Sequence, residues 1–268
     1  MKLRKALKMA AVCTIAGAVA AVSLCGCSQK KEGQLLKTIE KRGVMKVGTS
    51  SDHAPWSFKD ESDNFVGYDM DLIREIGDRM NVDIEITDMS FDALVAAVQS
   101  GKVDVAICCM GAKEERKKMV DFSDMYHQQL NVYLAKTGAG IQIQDMEDIT
   151  NYTVGVLSGS LPEQYITDLV EAGKMDGDKV SRYEKADDEI LDLDAGRIQM
   201  VAGDKGQSRE YEKLYDVEII WEGSFYGTGE NIAVPKNEPD LLNKINSILG
   251  ELKDEGFLEG LAEKWQTD

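Results

Sequence analysis

The feature that most constrains this chain is an alternation of short apolar runs with amphipathic ones, which begins near residue 44 and starts again near residue 131. Val44–Gly48, Val82–Thr87 and Val103–Cys108 read as strands. The last is a nearly continuous apolar run, the pattern of a buried parallel strand. Phe65–Tyr68 reads as extended and leads into a helix over Asp69–Met80, where Met70, Ile73, Ile76 and Met80 recur at intervals of three and four. Asp69 is expected at its N-cap, because a carboxylate there accepts from free first-turn amides. A further helix carries Phe91, Leu94, Val95 and Val98 and closes at Ser100-Gly101.

The second set runs through Asn131–Lys136, Thr153–Leu157, Ile198–Ala202 and Val217–Trp221 as strands. A helix over Leu161–Gly173 tolerates Pro162 in its first turn, where a missing N–H costs nothing. Ile232–Val234 is short and extended, and Asp240–Trp265 reads as a helix pair broken at Gly256. Two successive sets predict an α/β chain of two lobes, each an open, mostly parallel sheet flanked by helices. Ligands on such sheets sit beyond the carboxyl ends of the strands, so chemistry is sought in the loops there.

Ahead of these sets lies a segment of another kind. Lys2, Arg4, Lys5 and Lys8 form a basic region, and Met9–Leu24 carries no charge. That run is short for a membrane span and suits the apolar part of a signal peptide over residues 1–26. It ends in Leu24-Cys25-Gly26-Cys27, which resembles the bacterial lipobox, with Cys27 the lipidated cysteine. Ser28-Gln29-Lys30-Lys31-Glu32-Gly33-Gln34 follows, a polar stretch without apolar period, so residues 27–36 are expected to form a flexible tether. The whole chain of 268 residues has a net charge of −17, and loss of the leader leaves −21 over 242 residues. So acidic a body argues against nucleic-acid binding, which needs a basic footprint.

Of the five cysteines, Cys13 and Cys25 leave with the leader and Cys27 takes lipid. Cys108 and Cys109 remain, too close for a relaxed disulfide and lacking CxxC spacing, so they read as two buried thiols at a strand end. The two histidines, His53 and His127, are far apart in sequence, and no metal site or cofactor is expected.

Four loops carry candidate chemistry. Ser158-Gly159-Ser160 before Pro162 is a turn at a helix N-terminus, where free amides favour an anion. Arg116 can clamp a carboxylate through two parallel charge-assisted hydrogen bonds. Asp204 follows a buried strand and can pair with an ammonium or cap the next helix. His53, Trp56 and Phe91 can supply a flat apolar wall. There is no Gly-x-Ser-x-Gly elbow and no P-loop.

Several motifs occur together. Ala54-Pro55-Trp56-Ser57-Phe58 follows the first strand, then Gly67-Tyr68-Asp69-Met70-Asp71-Leu72, Val103-Asp104, Glu114-Glu115-Arg116 and Asp121-Phe122-Ser123. The second set offers Val154-Gly155-Val156-Leu157-Ser158-Gly159-Ser160 and Ala195-Gly196-Arg197-Ile198. From about Leu35 to Trp265 the chain resembles the family 3 extracellular solute-binding proteins, the amino-acid receptors of ABC importers. The resemblance implies a two-lobed fold of the periplasmic-binding-protein type II, with lobe one over 37–127 plus 231–268 and lobe two over 128–230. Crossings are implied near Tyr126–Asn131 and Gly227–Ile232.

It also implies a site. Arg116 grips the ligand α-carboxylate, helped by Ser160 and nearby amides, and Asp204 holds the α-ammonium. His53 and Phe91 sandwich the ligand, and Ser50, Cys109, Gly111 and Leu161 stand at other contact positions. Gly111 offers only its backbone where many members carry a hydroxyl, Leu161 stands where several place a Thr, and Ser50 replaces an acidic side-chain reader of some members. The implied protein is a monomeric, non-enzymatic binder of a polar L-amino acid, lipid-anchored through Cys27 outside the cell and docking on a membrane permease. The rivals are an enzyme resembling cyclohexadienyl dehydratases, which needs a general acid in the cleft, and a ligand-sensing surface lipoprotein.

Overall fold

The computed structural model describes residues 33–128, 130–226 and 229–267. The expected leader, Cys27 and the tether as far as residue 32 lie outside the described residues, as do positions 129, 227 and 228 of the expected crossings. Residues 33–36 are not a free tether. The Gly33 N–H donates to the Asn237 carbonyl (3.0 Å), the Leu35 N–H donates to the Glu238 carboxylate (2.9 Å), and Leu35 opens a helix.

The first set gives α1 (Leu35–Arg42), β1 (Val44–Thr49), β2 (Asp52–His53), β3 (Ser57–Lys59), β4 (Phe65–Val66) and α2 (Tyr68–Met80). It continues through β5 (Asp83–Asp88), α3 (Leu94–Ser100), β6 (Val105–Ala106), α4 (Glu114–Lys117) and β7 (Val120–Phe122). The second set gives β8 (Asn131–Lys136), β9 (Val154–Leu157), α5 (Leu161–Glu171), β10 (Val180–Tyr183), α6 (Ala186–Asp194), β11 (Met200–Asp204), α7 (Lys205–Leu214) and β12 (Val217–Gly223). The chain then returns through β13 (Ala233–Pro235) and ends in α8 (Pro239–Asp254) and α9 (Phe257–Trp265). No helix among the described residues is long and apolar enough to cross a membrane.

Two five-stranded sheets share one plan. The first runs β5-β1-β6-β13-β7 and the second β10-β9-β11-β8-β12. In each, the first three strands are parallel, the fourth is antiparallel to both neighbours, and the fifth again points with the first three. The reversed strand in each case, β8 or β13, is the first strand laid down after the chain crosses between sheets. Separate apolar clusters underlie the sheets, one built on Met45, Ile73 and Leu249, another on Tyr133, Val156 and Ile166. The crossings run side by side: Tyr126 N–H donates to the Glu230 carbonyl and Glu230 N–H to the His127 carbonyl, both at 2.9 Å.

The Gly67-Tyr68-Asp69 motif folds differently from the sequence expectation. Gly67 itself caps α2, at φ 126°, and no side chain caps that end. Instead the Tyr68 and Asp69 amides donate to the Pro55 and Trp56 carbonyls, both at 3.0 Å. A Cβ at residue 67 would lie 2.2 Å from the Trp56 carbonyl oxygen, so only glycine lets the loop close on the helix. With the amides satisfied by backbone, the Asp69 carboxylate turns inward, accepting from the Cys109 N–H (2.7 Å) and the Tyr126 hydroxyl (2.8 Å). The 103–108 run is buried as expected, although its named strand shrinks to Val105–Ala106.

Candidate functional site

A cavity of about 40 Å³ lies between the sheets, beyond the carboxyl ends of β1, β6, β9 and β11. His53, Phe91, Cys109, Gly111, Arg116, Ser160, Leu161 and Asp204 all line it. Ser50 does not. Its hydroxyl donates to Asp52 and its carbonyl accepts from the Cys108 thiol (3.8 Å).

Arg116 projects from the single turn α4 and is only 5% exposed. Nη1 donates to the Gly111 carbonyl (2.7 Å) and Nη2 to the Gly159 carbonyl (2.6 Å), so the side chain spans both lobes. Its guanidinium lies 5.0 Å from the centre of the Phe91 ring, a cation–π contact. Burial pushes its pKa down to about 10, which still leaves it charged at neutral pH. Among the described residues no carboxylate lies within ion-pair distance of it. A buried guanidinium bonded to carbonyls and set against an aromatic ring, with no carboxylate beside it, can receive an incoming carboxylate.

Asp204 ends β11 and caps α7, with Oδ1 accepting from the Gln207 N–H (2.8 Å) and the Trp56 indole (3.1 Å). Its Oδ2 lies 2.6 Å from His53 Nε2. Burial pushes the Asp204 carboxyl up, but the His53 imidazole and the two N–H donors outweigh it and hold the pKa below the ordinary range. Burial likewise lowers His53, and Asp204, with Asp52 and Asp69 farther off, raises it above 6.5. His53 thus stands at the cavity wall with its Nε2 bonded to Asp204. Trp56 is fully buried in the core and contributes its N–H. Two more bonds cross the cleft: Asp52 Oδ2 accepts from the Ala186 N–H (3.1 Å), and the Gln207 side-chain amide donates to the Asp52 carbonyl (2.9 Å).

The turn before α5 departs from expectation. The amides of Ser158, Gly159 and Ser160 donate to the Tyr183 carbonyl, the Glu163 carboxylate and the Leu157 carbonyl, and Ser160 Oγ caps the helix by accepting from the Glu163 N–H (3.1 Å). These three amides, expected to be open to an anion, already have protein acceptors. Cys108 is buried and Cys109 half-buried, both as thiols. Cys109 Sγ donates to Glu230 Oε1 (3.2 Å), and burial with nearby acids pushes both thiols well up. The ligand atoms of His53, Cys109 and Asp204 lie within 4.8 Å of one another, a donor set of the kind that suits a soft divalent ion.

Sequence reasoning missed Asn131, Gln207 and above all Glu189, which also line the cavity. Glu189 sits in the acidic run Ala186–Asp194, easily taken for a solvated face. Its spacing with Ala186, Ile190 and Leu193 was the available signal, since all four share the buried stripe of α6.

The sequence profile of the bacterial extracellular solute-binding proteins, family 3, matches residues 45–268. The arginine-binding extracellular protein ArtP of Bacillus subtilis is 33% identical over 223 residues, covering 82% of this chain and 85% of ArtP. An ancestral arginine-binding protein solved with arginine superposes with a TM-score of 0.77 at 36% identity, covering 84% of this chain and 98% of that one. The ancestral amino-acid-binding protein AncCDT-1, described as a precursor of cyclohexadienyl dehydratase, gives a TM-score of 0.78 at 31% identity, covering 86% and 98%.

Proposed function

The chain belongs to the bacterial extracellular solute-binding proteins of family 3 and has their two-lobed fold, and from that premise we propose that it captures a polar L-amino acid between its lobes and hands it to an ABC importer. One observation carries the reading. A buried Arg116 without a carboxylate partner faces, across one cavity, a buried Asp204. An α-amino acid is a carboxylate and an ammonium two bonds apart, the complement of that pair. The arginine-binding relatives support the ligand class.

In this reading the ligand carboxylate takes the Arg116 donors now satisfied by the Gly111 and Gly159 carbonyls. Its ammonium donates to Asp204 in place of His53, which with Phe91 then flanks the ligand. Ser160, Leu161, Cys109 and Gly111 complete the wall, and Ser50 acts behind it through Asp52. Lobe one runs over 37–127 with 231–268 and lobe two over 128–230. Arg116 belongs to the first lobe and Asp204 to the second, so a ligand touching both stabilises only the closed arrangement and shifts the population toward it by hinge motion. The closed form docks on the permease. Micromolar affinity, about −8 kcal/mol, is ordinary for such a site. The mature chain is a monomer held at the outer face of the membrane by lipid on Cys27, and it is not an enzyme.

Calorimetric titration of the purified protein, freed of carried-over ligand, tests the reading. Binding of one or a few L-amino acids, lost in Arg116→Ala with the fold retained by circular dichroism, is the expected result. No binding of any amino acid, together with turnover of prephenate or arogenate, would replace the receptor by a dehydratase.

A further inference from the structure

Glu189 is 2% exposed, lines the cavity, and has a carboxylate oxygen with no hydrogen-bond partner among the described residues. The other acid on the cavity wall, Asp204, is fully engaged by His53, Trp56 and Gln207. Among the described residues no cation forms an ion pair with Glu189. The charges acting on it, from Asp204, Asp52 and Asp187, are all acidic. A buried carboxyl without a partner is costly and persists only where something compensates it.

The Glu189 stem packs directly on β9: a Cβ on Gly155 would stand 3.6 Å from Glu189 Cβ, an ordinary packing contact, so the side chain rises from the sheet at the cavity wall. On the same wall, Arg116 and Asp204 complement the two ends of an α-amino acid and use up one charge each. Glu189 is the acid left over: burial and the neighbouring acids push its carboxyl well up, so it lacks only a cation to ionise against.

We propose that Glu189 is the specificity-determining residue of this cleft and that it reads a positively charged side-chain end, which makes the ligand a basic amino acid. The inference rests on the amino-acid reading above and narrows it. With the carboxylate on Arg116 and the ammonium on Asp204, a guanidinium or ammonium at the far end of the ligand donates to the Glu189 oxygen that now has no donor. Binding of the cation favours the ionised carboxylate, so the two charges are buried as a pair.

Two isosteric pairs decide the matter by calorimetric titration of the purified, ligand-freed protein: L-arginine against L-citrulline, and L-lysine against L-2-aminoheptanoate. In at least one pair the cationic member is expected to bind roughly tenfold more tightly or better, and Glu189→Gln is expected to bring that ratio within about threefold. Equal affinities within both pairs, binding confined to uncharged amino acids, or a preference that survives Glu189→Gln would each overturn the inference while leaving the amino-acid reading intact. Absence of binding by every L-amino acid would overturn both. If Glu189→Gln does not fold, the ratios of the unaltered protein decide alone.

Discussion

The two lobes share a strand plan and bring opposite charges to the cleft. Each sheet has three parallel strands, a reversed strand entered straight from the other lobe, and a last strand pointing with the first three. Yet the first lobe supplies Arg116 and His53 to the cavity, and the second supplies Asp204 and Glu189. Symmetry of backbone follows from packing, which asks only for apolar strands and helices of the right length. Charge follows from the loop and helix residues that happen to end at the cleft, and these are free to differ. The consequence is a polarised slot, which under the proposed function would take a zwitterion with its carboxylate toward the first lobe and its ammonium toward the second.

The sharpest way to break this asymmetry is to remove the first lobe's cation. Arg116→Ala should weaken amino-acid binding by roughly 100-fold or more, since a charge-assisted pair is lost and the ligand carboxylate is buried without a partner. Titration calorimetry reads the loss, and affinity within threefold of the unaltered protein would remove Arg116 from its role. Next comes the second lobe's acid. Asp204→Asn should cost an L-amino acid about tenfold or more while costing its deaminated analogue much less. Equal losses for the two ligands would show that Asp204 does not meet the ammonium.

A smaller effect comes from pH, because the His53–Asp204 pair ties one lobe to the other. His53 has a raised pKa, so its contribution is full below 6.5 and fades as pH rises through the folded value. Asp204 has a lowered pKa, so its contribution is full above 3.8 and is lost only on acidification below that. The tie is therefore strongest between about pH 4 and pH 6.5. The melting temperature of the unliganded protein should fall by a few degrees from about pH 5.5 to about pH 8, and His53→Gln should flatten that slope. An unchanged slope would mean the pair does not hold the lobes together. A second pH effect comes from Asp69 beside the crossings, whose pKa burial pushes up to about 7. A carboxyl raised in the folded state costs stability as pH climbs from 3.8 through that value, so Asp69→Asn should lose less stability than the unaltered protein over the same interval. Steeper loss in the variant would contradict the assignment.

Much of this was legible in the sequence, for identifiable reasons. Strands such as Asn131–Lys136 and helices such as Tyr68–Met80 announce themselves because their apolar period is long and clean. The helix Lys205–Leu214 escaped because it buries Gly206, Gln207 and Ser208 with a single Tyr211, a stripe with almost no apolar signal. The two-residue strand Asp52–His53 and the three-residue Ser57–Lys59 are too short to show alternation. In the cleft, loop position and motif drew attention to Arg116 and Asp204. What spacing leaves out is how a residue is already bonded: the 158–160 amides have protein acceptors, Asp69 faces inward, and His53 is bonded to Asp204. Ser50 pointed away from a cationic ligand, whereas the buried carboxyl that points toward one lies on another lobe, 139 positions along the chain.

The central claim is that one lobe holds the carboxylate and the other the ammonium of the same small molecule. A thermal-shift panel of the ligand-freed protein tests it most directly, comparing each common L-amino acid with its carboxamide and its deaminated form. At about 100 times its dissociation constant a ligand adds about 2.7 kcal/mol to stability, a readily visible shift. The account predicts a clear shift for one or a few amino acids and little for either altered form. Equal shifts for an amino acid and its carboxamide, or none with any amino acid, would contradict it.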